Sequence, residues 1–129
     1  MKLWQKGAAA HEKVDAFTVG KDREYDLVLA LYDCEASMAH ASMLGKIGLI
    51  TANEAEQLCA VLSRLKTAAA AGDFTIEDEF EDMHSKIEHV LTAELGDLGK
   101  KIHTARSRND QVLVAMHLYL KQALKEVKA

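Results

Sequence analysis

Proline is missing altogether from this 129-residue chain, aromatic residues make up only 5% of it, and there are just two cysteines. Without proline no segment is barred from continuing a helix, and few aromatics beside many alanines favour helix over sheet. The expected fold class is all-α. Cys34 and Cys59 each fall inside a helical pattern and are too few for a disulfide framework, so they read as buried, reduced thiols of a cytoplasmic protein. No apolar run approaches the roughly 20 residues that span a bilayer. Met1 is followed by a polar, charged stretch over residues 2–13 rather than a hydrophobic signal core, so no secretion signal is expected. Strong charge of one sign is also lacking. A net charge of -4, with a pI near 5.8, argues against a general binder of nucleic acid or of anionic membrane.

What the chain does have is helical periodicity. Leu27, Leu31, Cys34, Met38, Ala41 and Ile47 lie near helical spacing and predict a long helix over 21–46 that Gly48 ends. Thr51-Ala52-Asn53-Glu54 is a capping box that opens a second helix, with Leu58, Val61, Leu62 and Leu65 facing a partner and Gly72 closing it. A short turn between two such helices predicts an antiparallel hairpin. Residues 73–80 read as a linker whose Phe74 and Ile76 plug the core. A third helix is expected from near Glu81 to Leu95, then a break at Gly96 and Gly99, and a last helix over 112–128. That last helix carries an apolar seam of Leu113, Met116, Leu120, Ala123 and Val127, which needs a partner or stays exposed. Residues 4–17 are expected to be irregular or briefly helical.

The chemistry concentrates between His103 and Gln111. Two arginines, a hydroxyl, an amide and a carboxylate crowd the start of a helix there. Ser107 or Asn109 can cap it, and Ser107 with Asp110 resembles a capping box with Asp in place of Glu. A helix N-terminus favours negative charge, and the planar fork of Arg108 suits bidentate carboxylate recognition. A small carboxylate is the natural ligand. Lys100, Lys101, His103, Arg106 and Arg108 also form a basic run, but it has no stacking aromatics and the rest of the chain is acidic, so no nucleic-acid partner is expected. Arg106 could pair with Asp110 or another acid.

Glu81-Asp82-Met83-His84 invites a metal reading, because Glu-x-x-His is half of a di-iron helix-bundle site. No second copy exists. His84 and Glu88 face each other at i,i+4, while His89 points elsewhere on the helix, and two ligands do not make a zinc site. No metal is expected. Asp22 and Asp26 lie one turn apart at the start of the first helix, where acids offset the helix dipole.

Ser107-Arg108-Asn109-Asp110-Gln111 resembles the S-R-N-D-Q signature of the argininosuccinate lyases, in the fumarase/aspartase superfamily. The likeness extends along the chain. Lys2-Leu3-Trp4 is similar to the family's opening K-L-W, and Ser37-Met38-Ala39 and Gly48-Leu49-Ile50-Thr51 to its first long helix and turn. Glu81-Asp82-Met83-His84 is similar to its E-D-x-H, and Lys101-Ile102-His103-Thr104 leads into the signature. Three departures stand out. Gln5-Lys6-Gly7 replaces the usual G-G-R-F, and Ala105 stands where the family has glycine, adding a methyl to a backbone that calls for close approach or positive φ. The G-S-S-x-M-P-x-K-x-N loop with the catalytic serine, and the later T-H-x-Q segment, do not occur.

The resemblance implies the front piece of a longer enzyme: an N-terminal helical domain over 1–111, then, over 112–129, the first part of a helix entering a central bundle that assembles a homotetramer. It implies that Arg108 and Asn109 hold the succinate carboxylates of argininosuccinate, with Ser107 beside them. Asp82 and His84 would support that site, and Asp26 and Asp22 would lie near the guanidinium end. The implied reaction splits argininosuccinate into arginine and fumarate, in the cytoplasm and without metal or organic cofactor. Its base and acid lie outside this sequence, so the chain alone is expected to be inactive. A sister lyase acting on fumarate, aspartate or adenylosuccinate is one alternative. A structural helical protein, as the δ-crystallins became, is the other.

Overall fold

A computed structural model describes Lys13 and residues 22–128, with the backbone alone for 22–24. The K-L-W stretch, the segment expected to be irregular or briefly helical over 4–17 apart from the helical Lys13, and the Asp22 side chain lie outside the described residues. Within them there are five α-helices, one 3-10 turn and no strand. No described helix is long and apolar enough to cross a membrane.

Helix α1 (Asp22–Lys46) and helix α2 (Ala52–Ala70) form the predicted hairpin. The turn between them is closed by Leu49 N–H donating to Leu44 O at 3.0 Å, with Gly48 at φ +83°, a region that costs glycine little. The Thr51 box forms in full: Glu54 N–H donates to Thr51 Oγ1 at 3.1 Å and Thr51 N–H to Glu54 Oε1 at 3.0 Å. Leu58, Val61 and Leu62 of α2 are buried as expected, and Leu65 packs at the margin. Each such buried side chain contributes about 1.5–3 kcal/mol.

The stripe on α1 differs from the expected one. Leu27 and Ile47 are 45% and 60% exposed, whereas the fully covered face runs Ala30, Cys34, Ser37, Ala41, Leu44. The reason is steric. Small side chains let α2 come close, so near that a Cβ placed on Gly45 would lie 3.0 Å from the Ala55 Cβ. Leu44 is the one large apolar side chain on that face, and Leu27 is turned outward. The two thiols are free; Cys34 is buried, which pushes its pKa up to about 12, and Cys59 is half-buried.

Helix α3 (Met83–Leu95) packs on both members of the hairpin. The loop leading to it is pinned by Phe74 and Phe80, both buried, with Ile76 half-buried against the core. A short helix α4 (Asp97–Lys100) and a 3-10 turn (Lys101–His103) occupy the expected break. Gly99 is there for contact: a Cβ on it would lie 2.5 Å from the Leu91 carbonyl. Helix α5 (Arg108–Lys128) begins four residues before Val112 and runs back along α1, where Tyr119 meets Tyr32 edge to face at 5.9 Å. Only Gln111 and Ala115 of α5 are buried, and the seam residues Leu113, Leu120 and Val127 are exposed.

Candidate functional site

The signature segment starts from a strained turn. Ala105 has φ +58°, the one left-handed non-glycine residue among those described. The glycine-like backbone expected at this position is therefore present, at a cost of roughly 1–2 kcal/mol for the alanine Cβ. The turn is tied to α1 by His40 Nε2, which donates to Thr104 O at 2.8 Å. Burial lowers the His40 pKa, against the pull of that same carbonyl.

Ser107 then caps α5 as the spacing predicted. Its N–H donates to Asp110 Oδ2 at 3.0 Å, and its Oγ accepts from Asp110 N–H at 3.3 Å. The shorter aspartate does the work of the usual glutamate, and these bonds hold the Asp110 carboxyl below its ordinary range. Ser107 and Asn109 both stay exposed at the mouth of the helix.

Two arginines flank the cap and go separate ways. Arg106 turns inward and donates from Nη1 to Ser37 Oγ at 3.0 Å, and among the described residues it pairs directly with no acid. Burial presses its guanidinium below the ordinary value, opposed by the negative charge of Asp33. Arg108 pairs through Nη1 with Asp82 Oδ2, leaving Nε and Nη2 buried and without a hydrogen-bond partner among the described residues. These two nitrogens form the side edge of the guanidinium, suited to paired bonds with a carboxylate.

Asp82 is also the N-cap of α3, accepting from Ser85 N–H through Oδ1 at 2.9 Å. Asp26, from the first turns of α1, accepts from Met83 N–H at 3.0 Å. Asp26, Asp82 and Arg108, separated by many residues in sequence, therefore gather where α3 and α5 begin. His84 follows on the first turn of α3, buried, with Nδ1 2.9 Å from Oδ2 of the fully buried Asp33. The approach is off-axis and falls short of hydrogen-bond geometry.

His84 and Glu88 lie one turn apart on α3, and no contact joins them among the described residues. Glu88 instead meets His103 Nε2 at 3.1 Å, and this contact, helped by the fields of Arg108 and Lys100, holds its carboxyl below the ordinary range. Across the described residues no three potential metal ligands converge. A largely apolar groove of about 370 Å³ is lined by His40, Met43, Arg106, Asp110, Gln111 and Val114. It touches neither Asp82 nor Arg108, so the polar cluster is the better candidate site. Sequence reading did not find Asp33 or His40. An acid on the buried face of α1 was the available signal for the first; nothing local marked the second.

Comparison with known proteins bears on the whole segment. A family model described as lyase matches residues 8–129. The argininosuccinate lyase of Phocaeicola vulgatus is 55% identical over 126 residues, covering 98% of this chain and 28% of that protein. Those of Parabacteroides distasonis and Thermotoga neapolitana are 51% and 46% identical, with 28% and 32% of their lengths covered. The chain thus spans less than a third of these relatives. Helices, signature and capped turn fall inside the matched region, and the chain belongs to this lyase family, as a homologue of argininosuccinate lyases corresponding to their N-terminal part.

Proposed function

We propose that this chain supplies part of the substrate site of an argininosuccinate lyase, a cytoplasmic homotetramer that eliminates arginine from argininosuccinate to leave fumarate. One observation carries the reading. Arg108 keeps the Nε and Nη2 edge of its guanidinium unpaired among the described residues, at the point where two helix N-termini meet. Buried donors without acceptors are costly, and a carboxylate of the succinate moiety satisfies both at once.

The elimination removes a proton from the carbon next to a carboxylate. Negative charge then spreads into that carboxylate, and the C–N bond breaks as the guanidinium nitrogen leaves with a proton. Fixed donors around the developing charge lower the barrier. Arg108 and the first turn of α5 do this, with Ser107 and Asn109 beside them. Asp82 orients the Arg108 fork, and His84 supports the same turn of α3. Asp26 and Asp22 serve the guanidinium end.

The test uses the full-length enzyme. Fumarate release should be rapid from argininosuccinate and negligible from adenylosuccinate. Arg108→Ala should lower kcat/KM on the order of 10- to 100-fold, as loss of charge-assisted bonds predicts. Equal use of the two substrates, or an Arg108→Ala enzyme as active as the parent, would sink the reading.

A further inference from the structure

Asp33 lies on the covered face of α1, wholly excluded from solvent, between Ala30 and the buried Cys34 and one turn before Ser37. Taking a carboxylate out of water is unfavourable unless cations or donors compensate. Among the described residues Asp33 caps no helix and meets no lysine. Its close contact is His84 Nδ1 at 2.9 Å, and the guanidinium of Arg106 feels its charge. Neither carboxylate oxygen makes a well-formed hydrogen bond among the described residues. For packing alone, a small residue like its neighbours on that face would do better.

What the carboxylate does face is the His84 ring, with Oδ2 2.9 Å from Nδ1. An ionised carboxylate only accepts, so the nitrogen facing it carries the proton; two lone pairs this close in a dry interior would repel. In the neutral ring that leaves Nε2 as the acceptor. His84 is two residues from Asp82, on the same first turn of α3, and Asp82 in turn holds Arg108.

We propose that Asp33 is a positioning residue of the lyase site, holding the His84 imidazole in one orientation and in its Nδ1–H form so that Nε2 is the nitrogen left for the site. The proposal rests on the reading of His84 as a supporting residue of that site. Asp33 touches no substrate in this scheme and acts through the ring alone.

Two measurements test it. Nitrogen-15 NMR of the imidazoles in the histidine-labelled full-length enzyme, at a pH where the ring is neutral, should show His84 protonated at Nδ1 and bare at Nε2. An Nε2–H ring overturns the proposal. In the full-length enzyme, Asp33→Asn should lower kcat on the order of 10- to 100-fold with KM little changed, the scale on which ring-orienting partners act. The same substitution in a His84→Asn background should cost little more, because its route to the site is already gone. Additive losses overturn the proposal, since a merely structural acid would give them. The NMR result does not depend on turnover. If the parent enzyme released no fumarate from argininosuccinate, the proposed function would fall while the ring measurement still decided what Asp33 does to His84.

Discussion

The α1–α2 hairpin is held by apolar residues on two consecutive helices and by a capping box formed within four residues, whereas the junction of α1, α3 and α5 is held by polar and ionic contacts drawn from distant parts of the chain. The hairpin is a packing solution. At the junction, carboxylates and cations are kept half-dry or dry, where each contributes little net stability and is costly to orphan. Both kinds of contact share the same long helix, where the buried Asp33 lies between Ala30 and Cys34 of the apolar face.

Four expectations would break or sharpen that contrast. The largest effect belongs to the hairpin: Leu62→Ala, at a fully buried position, should destabilise the chain by about 2–5 kcal/mol in urea unfolding. A smaller loss would mean that the hairpin is not where stability resides. Gly99→Ala comes next, at about 1–3 kcal/mol, because its methyl would run into the Leu91 backbone and lift α4, with the turn that carries His103, off α3. A third change runs the other way. Ala105→Gly should raise stability by about 0.5–1 kcal/mol by relieving the left-handed alanine; a lower melting temperature would show that the turn carries no strain.

The smallest effect is a pH dependence at the junction. The Glu88 carboxyl sits below its ordinary value of 4.5, chiefly because of His103. A depressed acid binds fewer protons in the folded than in the unfolded state, so its contribution is present above that value and fades as pH falls through the folded one. Acid unfolding of His103→Gln should therefore show a shallower loss of stability below pH 4.5 than the parent. Identical acid profiles would remove this contact from the account.

How much of this was legible follows from distance along the chain. The Thr51–Glu54 and Ser107–Asp110 boxes were readable because each is complete within four residues. The left-handed backbone at position 105 was readable from an alanine standing in a glycine's place. The face of α1 was read in part: Cys34 and Ala41 are buried and Met38 packs on the core as the periodicity predicted, while Leu27 and Ile47 are exposed and the small Ala30 and Ser37 were passed over. Asp26 and Asp33 were harder still. The partners of both lie on α3, at Met83 and His84, more than 50 residues on, and an acid in an apolar stripe does not say which distant ring or N–H it will meet.

Asp82 divides its two oxygens between two helices, one taking the Ser85 N–H and the other the Arg108 guanidinium. Removing this side chain therefore cannot be scored as the loss of a cap or the loss of an ion pair, because both vanish together. The same sharing makes the starts of α3 and α5 energetically dependent: whatever draws Arg108 away changes the charge that steadies the first turn of α3. A change at the start of one helix is thus felt at the start of the other through a single carboxylate.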